Sequence, residues 1–275
     1  MPNHVSNIVT FNGSKEEIEA VFDILENDEG GITFDKFAPM PEELKGTKSP
    51  VTIISEEEFL FQQERIEKGD LTKDEVRFGI SRGISKTHQI YLIEKYGADN
   101  WYDWSTQNWG TKWGAYDGNF IDDKSIYFQT AWATPFGGMI SLSKAFPEVQ
   151  ITVDYADEDF GYNVGQYVLL GGVEVSQNVP KGGSEEAVRM ALQIQGGEDY
   201  YLGEFISNIT EEEIDEIKKG NDEYTGTFLK IILEDEIVDE DYPTHVLAYL
   251  LFTAVEQEKY EYANELKKIV DLKKV

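Results

Sequence analysis

The sequence contains no cysteine among its 275 residues. This absence excludes disulfide bonds, thiolate metal sites and cysteine nucleophiles, and it suits a reducing cytoplasm. The chain also lacks the run of about 20 apolar residues that a membrane span needs, since its apolar stretch VLAYLLFTAV stops after ten. The first residues, MPNHVSNIVTFNGSKEE, have no basic start followed by an apolar run, so no secretory signal is predicted. We therefore expect a cytoplasmic protein.

Recognisable catalytic and nucleotide-binding motifs are missing as well. The sequence has neither GxxxxGK[ST] nor GxGxxG, so nothing supports a phosphate cradle. Its histidines, His4, His88 and His245, lie far apart without metal-ligand spacing, and there is no serine elbow. The segment DYADEDFGYNVG (154–165) resembles a calcium loop only loosely, because the EF-hand spacing and its distant bidentate Glu are absent. We predict no catalytic residue, no metal site and no cofactor, and a protein that is not an enzyme.

Negative charge is the feature in excess. Asp and Glu number 53 against 24 Lys and Arg, a formal net charge of −29. The excess is spread along the chain, with −15 on residues 1–160 and −14 on residues 161–275. Such a field repels nucleic acid, which proteins bind by neutralising phosphates, and it attracts basic protein surfaces. Solubility or adaptation to a salty host is the alternative explanation.

Four runs of carboxylates are the candidate contacts for a basic partner. They are Glu56, Glu57 and Glu58; Asp157, Glu158 and Asp159; Glu211, Glu212 and Glu213; and Asp239, Glu240 and Asp241. The ordinary interpretation of such a run is a solvated loop or helix start, so the arrangement of the four runs decides between the two.

The first strands and helix are predicted from periodicity and capping. HVSNIVTF (4–11) alternates and indicates a strand. Ser14 with Glu17 forms a capping box that opens a helix. ITFDKFAP (32–39) is predicted as the second strand. Residues 42–113 then lose the strand rhythm, and helical signals indicate a helical insert.

The alternating rhythm returns after the insert. KSIYFQTAW (124–132) predicts a strand, MISLSKAFP a short helix that ends before Pro147, and VQITVDYA (149–156) another strand. The resulting order, βαββαβ, is typical of a ferredoxin-like sheet with helices on one face, an α+β fold. We predict that this domain occupies residues 1–165.

Residues 166–275 are predicted to form a C-terminal α/β extension packed on that domain. A hairpin is expected about Gly171-Gly172 and helices after Ser184 and Thr210. GTFLKIILED (226–235) is interpreted as a strand. One long helix is predicted from Tyr242 to about Lys274, buried on more than one side.

The stretch QNWGTKWGAYDG (107–118) places bulky aromatic residues beside glycines. The tryptophans of this region are separated by 3, 5 and 4 residues, close to helical spacing, which favours one face packed on the sheet. A platform for stacking bases would need neighbouring cations, and only Lys112 lies in the run. A structural corner is therefore preferred over a ligand platform. Its residues are Trp109, Gly110, Trp113, Gly114, Tyr116 and Asp117.

Five sequence blocks carry a resemblance to a known family. MPNHVSN before a strand, FDKFAPMPEEL, NWGTKWGAYD, FQTAWATP with LSKAFP, and VDYADEDFGYNVG occur in this order over roughly residues 1–170. Together they resemble the YubB-like ferredoxin-like proteins of conjugative plasmids and bacteriophages. The resemblance implies a ferredoxin-like fold, makes the Trp-rich corner a family signature, and carries no activity to transfer. Family members typically have WC and a further helical stretch before the NWGTKW block, where this chain has WYDWSTQNWG. The segment from about residue 171 has no counterpart in the family.

The leading hypothesis is a non-enzymatic accessory protein of a phage or mobile element, acting in the cytoplasm of a host bacterial cell. It would bind, and inhibit, a host defence or nucleic-acid-handling protein through its acidic surface, imitating the phosphates of DNA. No direct nucleic-acid or membrane binding is expected. One alternative is a small-ligand module or enzyme with a pocket where Trp109, Trp113 and Tyr116 converge. Another is a structural component that forms a homo-oligomer through the long C-terminal helix.

Overall fold

A computed structural model describes residues 3–70, 82–195, 205–237 and 239–273. The chain forms two compact units, Met1–Asp154 with Gln166–Gln177, and Tyr155–Gly165 with Asn178–Val275. We predicted a boundary between residues 165 and 166. The chain passes between these two units after residues 154, 165 and 177.

Within these described ranges, the strands form one six-stranded sheet and one two-stranded pair. They are β1 His4–Asn12, β2 Ile53–Ile54, β3 Ile84–Ser85, β4 Tyr116–Phe120, β5 Ser125–Ala131, β6 Gln150–Asp157, β7 Val164–Leu170 and β8 Val173–Asn178. The sheet order is β4-β5-β1-β6-β7-β8, with β1 antiparallel to β5 and β4 antiparallel to β5. The first four strands of this order have the arrangement of a ferredoxin-like sheet, which confirms the predicted fold. Strands β7 and β8 extend this sheet beyond β6.

The helices follow the same chain order. They are α1 Lys15–Leu25, α2 Glu56–Glu67, α3 Lys86–Tyr96, α4 Trp101–Asn108, α5 Phe136–Ala145, α6 Glu185–Gln195, α7 Glu211–Lys219, α8 Glu223–Glu234, α9 Thr244–Glu256 and α10 Tyr260–Lys273. Both predicted capping boxes are present, at Ser14 with Glu17 and at Thr210 with Glu213. The predicted hairpin turn is present too, since Gly171 and Gly172 adopt positive φ angles between β7 and β8.

The predicted second strand, 32–39, is wrong. Ile32 forms only an isolated bridge with Glu26, and the Phe34 carbonyl accepts hydrogen bonds from the amides of Phe37 and Ala38 in a turn. Phe34 is buried all the same, with its ring 5.7 Å from that of Phe128. Phe34 is thus buried by a turn and not by the strand that the sequence pattern predicted.

The second strand of the ferredoxin-like order is β4 instead. The helical insert predicted at 42–113 therefore lies in the connection between α1 and β4. It precedes the second strand of the ferredoxin-like order, whereas the sequence placed it after that strand. Helices α2, α3 and α4 confirm its helical character. Residues 71–81 of this segment lie outside the described part of the chain.

The segment 226–235, predicted as a strand, is wrong: residues 226–234 belong to helix α8, and Asp235 is its C-cap. Asp222 caps this helix, and its side chain accepts from the amide of Thr225. Phe228, Leu229 and Ile232 are buried at helical spacing. The β-branched pair Ile231-Ile232 favours a strand by propensity, and burial against the neighbouring helices overrides that preference.

The single long C-terminal helix is also wrong. The chain forms two helices, α9 and α10, which pack against each other after a break at residues 257–259. Glu258 adopts a positive φ of 61° in this break, and neither Gly nor Pro marks it in the sequence. The predicted last residue, Lys274, lies outside the described residues. The long helix that motivated the oligomer hypothesis is thus a helical hairpin.

The core of the second unit is built by helices α6 to α10. Phe228 is 1% exposed, and its ring lies 4.0 Å from the ring of Phe205 and 5.2 Å from that of Tyr224. The Tyr224 hydroxyl donates to the carbonyl oxygen of Phe160, which ties the segment 155–165 to this core.

The burial of Phe228 predicts a large cost for its truncation. We expect Phe228→Ala to lower the free energy of unfolding by about 3–5 kcal/mol, because it removes buried area and leaves a cavity. Phe252, in the same unit, is 61% exposed. Phe252→Ala is the matched control and should change stability by less than about 0.5 kcal/mol. Urea denaturation followed by circular dichroism measures both, and equal losses would contradict the assignment of this core.

Candidate functional site

The Trp-rich corner separates into a buried part and an exposed part. Trp109 is 6% exposed, its indole N–H donates to the Ala38 carbonyl at 2.8 Å, and its ring lies edge-on to Trp104 and Phe34. Gly114 packs near the rings of Phe34 and Trp109. These contacts agree with a structural role for Trp109 and Gly114.

Gly110 has a positive φ of 86°, where an added Cβ would lie 3.3 Å from the backbone nitrogen of Phe136. Both the left-handed conformation and the close approach require glycine at this position. Asp117 also has a positive φ, of 48°, and lies exposed in β4. The Tyr116 hydroxyl is hydrogen-bonded to Nδ1 of His4 at 2.7 Å.

The exposed part of the corner is a cation held between two indole rings. Trp113 is 36% exposed and Trp132 is 44% exposed. The Lys112 ammonium lies 4.6 Å from the ring centroid of Trp113 and 4.5 Å from that of Trp132. We call these three residues the indole clamp. Sequence analysis missed Trp132, although the block FQTAWATP contains it.

The backbone around the indole clamp is fixed by hydrogen bonds. The Ala131 carbonyl accepts from the Thr111 hydroxyl at 2.6 Å and from the Lys112 amide at 3.4 Å. The Trp132 amide donates to the Asn3 carbonyl, and Trp132 has a positive φ of 73°. A bulky residue in this conformation is strained, and such strain is concentrated at functional sites.

A polar cluster that sequence analysis missed joins the loop before α2 to helix α3. The Glu43 carboxylate accepts hydrogen bonds from Tyr96, from Lys95 at 2.9 Å and from Tyr91 at 3.1 Å. The bonds from Tyr96 and then Lys95 lower the pKa of Glu43 to about 2. Hydrogen bonding to Tyr91, Tyr96 and Glu43 raises the pKa of Lys95. The cluster keeps its ion pair charged, which suits a structural tie.

The four acidic runs occupy different places. Glu56–Glu58 form the first turn of α2 in the first unit. Asp157 is 4% exposed, and its carboxylate accepts from the Asp159 amide and the Asn163 side chain within its own loop. Glu158 and Asp159 are exposed. Asp157 is therefore buried by its loop and does not offer its carboxylate to a partner, contrary to our expectation.

Two of the runs lie near helix beginnings in the second unit. Glu211–Glu213 form the first turn of α7, and Asp239–Asp241 precede α9 with Tyr242 and Pro243 between them. His245 Nε2 donates to the carbonyl oxygen of Ile209 at 2.6 Å, which places the beginnings of the two helices side by side. Both runs therefore lie at the same end of this helix pair. Glu213 is engaged in its capping box, so Glu211 and Glu212 are the outward carboxylates of its run.

A groove of about 530 Å³ lies between α7 and α9, and Glu211 of the first acidic run lines it. It was not predicted from the sequence. Its lining residues are Glu211, Ile214, Asp215, Lys218, His245, Ala248, Tyr249 and Phe252. Each helix contributes residues at positions i, i+3, i+4 and i+7, the spacing of one helix face.

The family comparison covers part of the sheet, from β4 to β8 but without β1. Residues 108–196 match the family model described as a ferredoxin-like domain in Api92-like protein. The ferredoxin-like match begins one residue before Trp109 and includes β4 to β8, so it supports a ferredoxin-like family for this part of the chain. Comparison with curated proteins and comparison with solved structures each returned no match.

Two further properties concern the described residues only. They contain no group of three or more His, Asp or Glu side chains placed to hold a metal ion. Among the helices of that part of the chain, none combines the length and apolar composition needed to cross a bilayer.

The indole clamp predicts a spectroscopic effect of Lys112. Lys112→Gln removes the cation and should increase acrylamide quenching of tryptophan fluorescence, since both indole faces become more accessible. It should also lower the free energy of unfolding by about 0.5–1 kcal/mol, the range for exposed cation–π pairs. Lys124→Gln, at an exposed lysine in the turn before β5, is the control. Identical quenching in both variants and the parent protein would contradict the clamp.

The Glu43 cluster predicts a pH-dependent contribution to stability. Folding lowers the pKa of Glu43 from 4.5 to about 2, so its stabilisation is present above pH 4.5 and is lost as pH falls through 2. The Glu43 side chain is 38% exposed, and after solvent screening we expect about 0.5–1 kcal/mol. The unfolding free energies of the parent and Glu43→Gln should therefore differ near pH 6 and converge near pH 2. A constant difference would contradict this assignment.

Proposed function

We propose that this protein is a non-enzymatic accessory protein of a phage or mobile element that binds a host protein through its acidic surface. Inhibition of a defence or nucleic-acid-handling protein is the proposed outcome. The target is proposed to carry a basic groove, which the carboxylates occupy in place of nucleic-acid phosphates. The observation that carries the proposal is the net charge of −29 together with two acidic runs near the beginnings of α7 and α9, which the His245–Ile209 hydrogen bond brings together.

The pattern of ion pairs supports an outward-facing negative surface. Several cations of the second unit are engaged in pairs within that unit, such as Arg189 with Glu185, Glu234 and Asp235. Glu212 and Glu240 are exposed. Duplex DNA carries one charge per about 1.7 Å of its axis, so a phosphate-binding groove selects dense anionic surfaces of this kind. Long-range attraction of this type raises the rate of encounter with a basic partner.

A second candidate function is supported by the indole clamp. Exposed Trp113 and Trp132 on a fixed backbone form a surface on which a planar ligand or a partner side chain can stack, and Lys112 between them offers a positive charge. This is the small-ligand alternative in a revised form, because Trp109 is buried and does not take part.

Neutralising carboxylates of the runs Glu211–Glu213 and Asp239–Asp241 tests the leading proposal. A variant with Glu211→Gln, Glu212→Gln, Asp239→Asn and Asp241→Asn keeps side-chain size and removes four charges. We expect it to lose most of its binding to basic host proteins at about 50 mM salt, where screening is weak. The control variant, Glu261→Gln with Glu265→Gln, alters exposed acids of α10 and should retain binding.

The measurement is a pull-down from host extract at low and high salt, followed by displacement of duplex DNA from any recovered nucleic-acid-binding protein. Recovery of basic partners that molar salt releases, and that the neutralised variant fails to recover, is the expected result. Equal recovery by the neutralised variant and the control would count against the proposal.

A further inference from the structure

The groove between α7 and α9 has an exposed apolar surface that the core does not need. Phe252 is 61% exposed and Ala248 is exposed, while Ile214 and Tyr249 add apolar area deeper in the groove. An exposed large aromatic residue in a concave, partly apolar site is typical of a protein-binding surface.

The charges of the groove are not evenly placed. Glu211 and Asp215 line the α7 side, and Asp239–Asp241 stand at the end where both helices begin. Lys218 also lines the groove. Its ammonium lies 3.3 Å from the Asp215 carboxylate in an exposed, weak ion pair. The rim is therefore anionic at the helix beginnings, and the apolar area extends from it towards Phe252.

The dimensions of the groove suit a helix. The lining residues of each wall span seven positions, about two turns or roughly 10 Å of helix. Each wall presents residues at helical spacing, and an amphipathic helix laid in such a groove places its own i, i+3, i+4 and i+7 residues against them.

We propose that the groove between α7 and α9 receives a basic amphipathic helix of the partner protein. This inference rests on the proposed function and names the structural element that the acidic surface recognises. The apolar face of the partner helix packs on Phe252, Tyr249 and Ala248, and its Lys or Arg side chains meet Glu211 and the Asp239–Asp241 run.

A second copy of this chain is a less suitable occupant. Each copy carries a net charge of −29, so the approach of two copies is opposed by long-range repulsion. An acidic helix is opposed at the rim for the same reason. Charge complementarity selects a basic segment.

The test uses the full chain and defined peptides in fluorescence anisotropy at about 50 mM salt, where screening is weak. The first peptide has about 16 residues, enough for four helical turns, with Leu and Phe at helical spacing and Lys elsewhere. The second has the same composition in scrambled order. The third keeps the apolar pattern and replaces each Lys with Glu.

Three variants accompany the peptides. Ala248→Trp fills the groove from an exposed position, and Phe252→Ala removes the aromatic anchor. Leu272→Ala is the matched control, because Leu272 is 73% exposed on α10 and does not line the groove. Thermal melts by circular dichroism check that each variant remains folded.

We expect the patterned basic peptide to bind about tenfold more tightly than the scrambled one, because its apolar anchors face one side. Ala248→Trp and Phe252→Ala should each weaken the patterned peptide by about tenfold and leave the scrambled peptide unchanged. Leu272→Ala should bind as the parent protein does.

Equal affinity for patterned and scrambled basic peptides overturns the groove and leaves the acidic-surface proposal standing. Equal binding of the Glu-containing peptide overturns the choice of a basic occupant. A dimer seen by light scattering and dispersed by Ala248→Trp assigns the groove to a second copy and also overturns the inference. Failure of both basic peptides to bind at low salt overturns the proposed function itself.

Discussion

The surplus of carboxylates over cations is the constraint that shapes this molecule. A chain with 53 acids and 24 bases repels itself, and ion pairs with the available cations relieve part of this repulsion. Arg189 illustrates the solution, since one guanidinium bridges Glu185 of its own helix to Glu234 and Asp235 at the end of α8. Lys230 adds a second bond to Glu185 from α8. Two helices of the core are thereby joined by charges that would otherwise separate them.

Helix beginnings provide the other place for surplus acid. Glu17 and Glu213 close capping boxes, and the first turns of α2 and α7 each carry three glutamates. The positive end of each helix dipole stabilises these side chains, so a dense acidic surface arises at the same positions that favour folding. The proposed binding surface and the local stability of the second unit thus share residues, with Glu213 committed to the cap and Glu211 and Glu212 directed outward.

Local signals in the sequence were sufficient where a few neighbouring residues determine the structure. The caps at Ser14 and Thr210 and the Gly171-Gly172 turn were predicted correctly, because capping and left-handed turns depend on side chains within a few positions. Periodicity was less reliable. The segments 32–39 and 226–235 are apolar in patterns that both a strand and a buried turn or helix can satisfy, and tertiary packing decided between them. The helix break at Glu258 was not predicted, because the sequence has neither Gly nor Pro at residues 257–259.

The candidate sites show the same division. Sequence composition identified the acidic runs, but only the fold brings together the beginnings of α7 and α9, near two of those runs, and buries Asp157. The aromatic corner was predicted as structural, which agrees with the burial of Trp109. The clamp of Lys112 between Trp113 and Trp132 depends on a pairing across 20 residues that spacing does not reveal. The groove was not predicted, because the run AYLLFTA suggested a helix buried on more than one side, whereas Phe252 is exposed.

The interleaving of the two compact units has a consequence for dissecting the protein. The chain crosses from one unit to the other after residues 154, 165 and 177. No single cut therefore liberates an intact half. A fragment beginning at Asn178 would leave behind Phe160, whose carbonyl accepts from Tyr224 and whose ring packs on the core of the second unit. Excision of the helices that form the groove would remove residues that their core packs against, so a fragment that carries the groove should also contain residues 155–165.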